Sequence, residues 1–420
     1  MTRFACAVAL AATVLVSGTA RAQEQQGDSP PAEEPKKPEE TKTEEASPEA
    51  APPPPEGTLV AKASASVAGY IDSVATTVLT PSVGGSVENP LAGWSINGRY
   101  LLDMVSAASP DIVSTASPPF EELRHGGTLG GQYKPGNFGV GGGFNASYSP
   151  DYLALSGSLQ LTEDLNDKNL TLLQGYAYGH DTIGRTGTSF STFSRSLDTH
   201  ALTLGISSVV NSSLVIGVSA DAIFESGDQS KPYRYIPMFT PANAAKIQPG
   251  ASVDTIASLR IEARPLEQLP LSRQRYAGTG RLAWRLAHST LRLEQRIYGD
   301  SWGLGASTTD ARYFIDASER IMLWPHLRFH VQKAVDFWQR VYAIQDFRSI
   351  PGLRTSDREL GALYNVGIGG GLRIALGKAG RVDDVAWTTT LDGYYTHFAD
   401  TIYVTERFSA LLTTGLEVTF

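Results

Sequence analysis

The chain has 420 residues, a formal net charge of −8, 41 glycines, 24 prolines and a single cysteine. Residues 23–57 hold ten acidic side chains against three lysines, whereas residues 58–420 hold 33 acidic against 30 basic ones. A nearly neutral body excludes nucleic-acid binding, which needs basic surface to displace counterions, and no apolar run beyond residue 22 reaches the roughly 18–20 residues of a membrane helix.

Residues 1–22 read as a secretory signal: Arg3 supplies the positive start, Phe4 to Val16 the apolar segment, and Ala20-Arg21-Ala22 the small-residue cleavage site. The lone Cys6 lies inside it, so a processed chain carries no thiol, and disulfides, cysteine nucleophiles and zinc sites built on cysteine are excluded. Residues 23–57 follow, with nine prolines and almost no large apolar side chain, too little to offset chain entropy. They read as a disordered acidic spacer, with a fully extended reach on the order of 100 Å. Its role is either a solvated spacer or a periplasmic contact to cell wall or a partner.

From residue 58 the hydrophobic period is two. In the last segment Phe408, Ala410, Leu412, Thr414, Leu416, Val418 and Phe420 share one face, against Ser409, Leu411, Thr413, Gly415, Glu417 and Thr419. Trp94, Ile96, Gly98, Tyr100, Leu102 and Met104 likewise oppose Ser95, Asn97, Arg99 and Asp103, and Leu214 to Phe224 opposes Gly217, Ser219 and Asp221. About sixteen such strands, within a range of 14–18, start near residues 63, 75, 93, 121, 137, 152, 168, 197, 212, 272, 289, 302, 320, 357, 384 and 406. Connections after even-numbered strands are tight, as at Pro135-Gly136-Asn137 and Asn211-Ser212, while the long ones, near 105–124, 179–196, 225–271 and 335–356, follow odd-numbered strands. That parity predicts an all-β fold: a transmembrane antiparallel up-and-down barrel in the Gram-negative outer membrane, with both termini periplasmic. Trp94, Trp284 and Trp387 fall on the apolar phase near one set of strand ends, and Tyr178, Phe224, Tyr276 and Tyr395 near the other, as paired aromatic girdles require. Trp324 falls on the inward phase, against that rule. Outer-membrane lipid is the implied partner.

The inward phase is most informative between residues 272 and 332. Arg273, Arg275, Arg281 and Arg285 share a face, followed by Arg292, Glu294 and Arg296, then Asp310 and Arg312, then His326, Arg328 and His330. Charges facing lipid at the midplane cost roughly 2–4 kcal/mol each, so this face is the lumen. With nine arginines and five acids from Arg273 to Gln332, the wall reads as net basic. Two readings stay open: a ladder that pairs with carboxylates and stiffens the barrel, as Arg281 opposite Glu294 would, or an aqueous path favouring anions. The segment 225–271, with Lys231, Tyr233, Arg234 and Tyr235, either folds inward as a constriction or covers the mouth.

Catalytic chemistry is not indicated. His326 and His330 lie about 13 Å apart on one strand face, too far to share a metal. No serine stands in a nucleophile elbow, and Gly139 to Gly143 reads as strand rather than a phosphate loop. No cofactor or metal is expected, and an outer-membrane hydrolase is the enzyme alternative.

The runs from Tyr100 through Asp103, Ser109 and Asp111 to Ser117, from Gly179 to Arg185, and from Tyr298 to Gly303 resemble a family of Gram-negative outer-membrane barrel proteins defined only as a domain of unknown function. The resemblance covers most of 60–420, with Met104 interrupting its first block. It implies the barrel and its location but no activity or site residue. The terminal Phe420 and its alternating strand resemble the assembly signal of outer-membrane barrels, which implies the barrel-assembly machinery as a partner. Asp103 lies on the inward phase where a loop turns back. Arg99, Asp103 and Asp111 are therefore candidates for fixing that loop, by Asp103 pairing with Arg99 or Arg124 or bonding backbone donors, or alternatively for binding solute.

The functional expectation is a porin-like or transport channel with an anion-favouring lumen, and the alternative is a non-conducting structural or surface-presentation barrel.

Overall fold

Alternation of apolar and small polar residues gives the chain two usable faces only when it is extended, and extended chain needs a neighbour for every backbone group. The computed structural model describes residues 59–115, 120–380 and 382–420. The signal and spacer readings of residues 1–57 lie outside them. Eighteen strands follow in order: β1 (Val60–Asp72), β2 (Thr76–Asn89), β3 (Trp94–Ala107), β4 (Phe120–Tyr133), β5 (Phe138–Ser149), β6 (Tyr152–Leu165), β7 (Leu170–Ile183), β8 (Arg195–Asn211), β9 (Leu214–Gly227), β10 (Met238–Phe239), β11 (Ser272–Arg285), β12 (Ser289–Asp300), β13 (Gly305–Ser318), β14 (Ile321–Gln332), β15 (Tyr342–Ala343), β16 (Leu363–Ala379), β17 (Val382–Phe398) and β18 (Glu406–Thr419). Sixteen of them form a closed barrel of antiparallel nearest neighbours, sealed by β18 against β1, while β10 and β15 form a separate two-stranded parallel pair. Closure leaves no strand edge unpaired, which is the condition for spanning lipid with strands. No helix among the described residues is long and apolar enough to cross a membrane.

Strand starts and faces follow the alternation. The largest displacement from the sequence reading is at β16, which begins at residue 363 because Asp357 caps a 3-10 turn over Arg358–Leu360 and delays the strand. The outward phase is apolar and exposed, with Leu129 60%, Val218 65% and Ile368 68% accessible. Trp94, Trp284 and Trp387 face outward toward the short-turn end, and Tyr178, Phe224, Tyr276 and Tyr395 face outward toward the other.

The largest fully buried side chains are concentrated in the long connections rather than in the wall. Met238 and Ile236 pack with Tyr342 and Ile344, and Phe239 packs with Ile247, Ile256 and Ile402. The segment 228–271 follows β9, yet Tyr235 N donates to Thr115 O between β3 and β4 (2.6 Å), and Gly250 N donates to Thr401 O between β17 and β18 (2.9 Å). The Tyr233 hydroxyl reaches Asp151, between β5 and β6, at 2.9 Å. A segment rooted at one side of the ring and bonded to connections on both other sides spans the mouth. Of the two placements open from sequence, the structure takes the cover.

Candidate functional site

The wall formed by β11 to β14 carries the charged constellation. Cross-strand register puts Arg281 opposite Glu294, and their side chains meet at 2.8 Å. Other pairs skip a strand. Arg296 on β12 reaches Asp221 on β9 at 3.0 Å, Arg285 on β11 reaches Asp316 on β13 at 2.7 Å, and His326 on β14 reaches Asp392 on β17 at 2.7 Å. Neighbouring strands lie about 4.8 Å apart, so such pairs span roughly 10 Å of backbone. Only the concave face, where side chains converge, brings them together. The charged phase therefore lines the lumen, and all twelve residues from Arg273 to His330 singled out in the sequence point into it.

Their partners divide the wall in two. Toward the mouth, Arg275 pairs with Glu225 at 2.9 Å and Arg273 with Asp300 at 2.5 Å, with the Arg273 guanidinium also 4.2 Å above the Trp302 ring. Midway, the Asp310 carboxylate is shared by His326 at 2.8 Å, Arg312 at 3.4 Å and Arg328 at 3.6 Å. His330 is held by the Thr308 hydroxyl at 2.7 Å. Nearer the short turns the balance changes. Arg292 and Arg312 are direct cross-strand partners, both exposed to the lumen, and among the described residues Arg292 meets no carboxylate. Its guanidinium lies 4.8 Å over the Phe314 ring.

The count of nine arginines against five acids overstated the positive charge because it stopped at the ends of one segment. Asp221 and Glu225 come from β9, which flanks this wall on one side, and Asp392 from β17, one strand beyond β16 on the other. Asp221 already stood on the polar phase of its segment; what the sequence lacked was which strand the wall curls toward. Among the described residues no group of three or more His, Cys, Asp or Glu could hold a metal ion.

At the mouth, Asp103 is buried and accepts from Thr80 Oγ1 at 2.6 Å and Arg124 Nε at 2.7 Å, with Arg124 Nη2 bonding the same carboxylate. Of the two arginines considered for it, the partner is Arg124. Arg99 instead donates to Ser82 at 2.7 Å. Asp111 lies in the helix Pro110–Thr115, and its side chain is outside the described residues.

The mouth cover has a buried charged centre that sequence reasoning did not assemble. Arg234 and Lys231 each reach Asp357 at 2.6 Å, Arg234 lies 3.6 Å from Glu267, and the Thr355 hydroxyl donates to Glu267 at 2.7 Å. Burial pushes the Asp357 carboxyl up, but the Arg234 and Lys231 charges outweigh it and hold the group well below the usual carboxylate range. Tyr342 donates to Thr355 O at 2.9 Å and accepts from Thr355 N at 2.8 Å, and burial pushes its hydroxyl up to about 12. These residues come from two connections about a hundred positions apart. No local pattern joins them.

Fold and wall define a class: a membrane-type β-barrel, apolar outside, charged within and covered at one end. The chain belongs to the family described as "Protein of unknown function (DUF3570)", whose match covers residues 46–401. No curated protein matches the chain. Among solved structures it is similar to CdiB from Acinetobacter baumannii, at 11% identity and a TM-score of 0.45, covering 85% of this chain and 60% of that one. It is also similar to OccK5 (OpdH) of Pseudomonas aeruginosa, at 9% identity and TM-score 0.40 over 86% of this chain and 98% of the other. The siderophore receptor PirA of the same organism matches at 11% identity and TM-score 0.39 over 86% and 62%. The chain thus spans about three-fifths of the length of CdiB.

Proposed function

We propose that this protein is an outer-membrane channel for small anionic solutes. The observation that carries the reading is the lumen wall of β11 to β14, where guanidiniums converge on the concave face and Arg292 and Arg312 stand opposed and exposed. Exposed cations along an aqueous path lower the barrier for anions and raise it for cations. The apolar outer face supports insertion in lipid, and the outer membrane is the bilayer in which such barrels reside. The mouth cover bears on rate: solute passes when the cover shifts.

That cover also favours a second reading, a closed barrel serving as scaffold or surface display. Planar-bilayer recordings of the purified chain under a potassium chloride gradient separate the two. A reversal potential toward anion preference supports the channel; cation preference, or no conductance in either the wild type or an Asp357→Asn variant with a loosened cover, overturns it. In the same reading the chain is not an enzyme, and sustained turnover of acyl esters by the purified barrel would contradict that. The strand ending at Phe420 is the segment read by the assembly machinery, and residues 23–57 contact the periplasm or cell wall. Unchanged co-sedimentation with peptidoglycan after deleting 23–57 would remove the latter role.

A further inference from the structure

Trp324 breaks the pattern that the other wall tryptophans obey. Trp94, Trp284 and Trp387 sit on the lipid face, but Trp324 shares the inward phase of His326 and Arg328. Its cross-strand partner on β16 is Gly371, and a Cβ at that glycine would fall within the indole, so the ring lies flat on the lumen wall. On its other side Phe314 stands 5.3 Å away between ring centroids, at an interplanar angle of 33°. The row continues to Arg292, whose guanidinium covers Phe314. Four adjacent strands, β12, β13, β14 and β16, thus lay guanidinium, phenyl, indole and bare backbone side by side.

Two features of this row are left open to an occupant. Arg292 faces Arg312 in register, and Arg312 turns to Asp310 at 3.4 Å, which leaves Arg292 as a lumen-exposed cation that meets no carboxylate among the described residues. An indole and a phenyl stand half-buried on the lumen face, covered only in part by each other, by the Gly371 backbone and by the Arg292 guanidinium. Both are satisfied when a flat anion lies on the row, its charge on the guanidinium edge and its ring on the indole. A guanidinium stacked on Phe314 keeps its N–H edge free, and that edge matches a carboxylate in bidentate fashion. A cation beside an apolar shelf suits an anion with an aromatic body better than a small hydrated ion.

We infer that Arg292, Phe314 and Trp324, laid against the Gly371 backbone, form a lumenal binding site for aryl carboxylates. The inference names the solute class of the proposed channel and rests on that reading for its role in transport. Binding itself is testable apart from conductance. The full barrel in detergent is titrated with 4-iodobenzoate, whose heavy atom quenches indole emission on contact, and the Trp324 signal is taken as the difference between wild type and Trp324→Phe. Saturable quenching is expected, displaced by benzoate but not by the same concentration of acetate or inorganic phosphate. Arg292→Gln should weaken apparent affinity about tenfold, and Arg292→Lys should recover little, because an ammonium neither stacks nor binds bidentately. Heat-modifiable migration in gels verifies that each variant is folded.

Linear quenching equal to that by iodide, equal displacement by acetate or phosphate, or unchanged affinity in Arg292→Gln would each overturn the site. A barrel that binds the probe but passes no current refutes the channel and leaves the site standing. One that passes anions without saturable probe binding refutes the site alone.

Discussion

Replacing Asp357 by Asn should loosen the mouth cover while leaving the barrel folded. The substitution keeps shape but removes the charge that Lys231 and Arg234 each contact at 2.6 Å, in a centre where the Arg234 and Asp357 side chains are only 6% and 8% accessible. Breaking a buried pair by neutralising one partner costs about 3–5 kcal/mol. Glu267 remains 3.6 Å from Arg234 and softens the loss, so the low end, about 3 kcal/mol, applies. That corresponds to a roughly 150-fold larger population of the open cover, at about 1.4 kcal/mol per decade. Limited trypsinolysis of folded protein in detergent reads this population when opening is fast relative to cleavage. Cleavage after Arg260 and Arg354 should accelerate by about two orders of magnitude, with the strands still intact on gels. Equal cleavage rates in variant and wild type would refute the reasoning. The pH dependence has a definite sign. The folded carboxyl sits below its unfolded value of about 3.9, so its contribution is complete above that pH and is lost as pH falls toward the depressed folded value. Wild-type protection should stay level from neutral pH down to about 4 and decline only below it.

Asp103→Ala removes the acceptor shared by Thr80 and Arg124 and should cost about 2–3 kcal/mol in urea unfolding of the detergent-folded barrel; a change under about 0.5 kcal/mol would mean that this buried carboxylate holds nothing in place. Ile368→Arg, at the most exposed large apolar side chain of β16, should reduce insertion into liposomes by about 2–4 kcal/mol, and equal insertion would contradict its lipid-facing assignment. Gly371→Val drives a side chain into the space of the Trp324 indole, which should swing into the lumen and red-shift its emission, whereas an unshifted spectrum would mean the ring does not lie on that glycine. Glu294→Gln leaves Arg281 without its 2.8 Å partner and should increase anion preference in bilayers; a shift toward cations would count against a lumen tuned by these pairs.

The sequence by itself determined the sixteen wall strands, their faces, and which set of ends carries the long connections. All three follow from a two-residue period and from turn residues, which are local properties: Trp94 to Met104 states its lipid face without reference to any other strand. Arg281 opposite Glu294 was legible too, because one tight hairpin fixes their register. The tertiary structure alone decided what the charged residues meet. Arg296 finds Asp221, and His326 finds Asp392, across an intervening strand, a contact created by the curvature of the closed ring and carried by no sequence spacing. A cover over the mouth was one of two placements open to residues 225–271, but its charged centre was invisible, since Arg234, Glu267 and Asp357 converge from two connections with no periodicity between them. Local alternation dictates where a side chain points; only closure of the sheet and crossing of the loops decide which side chain it points at.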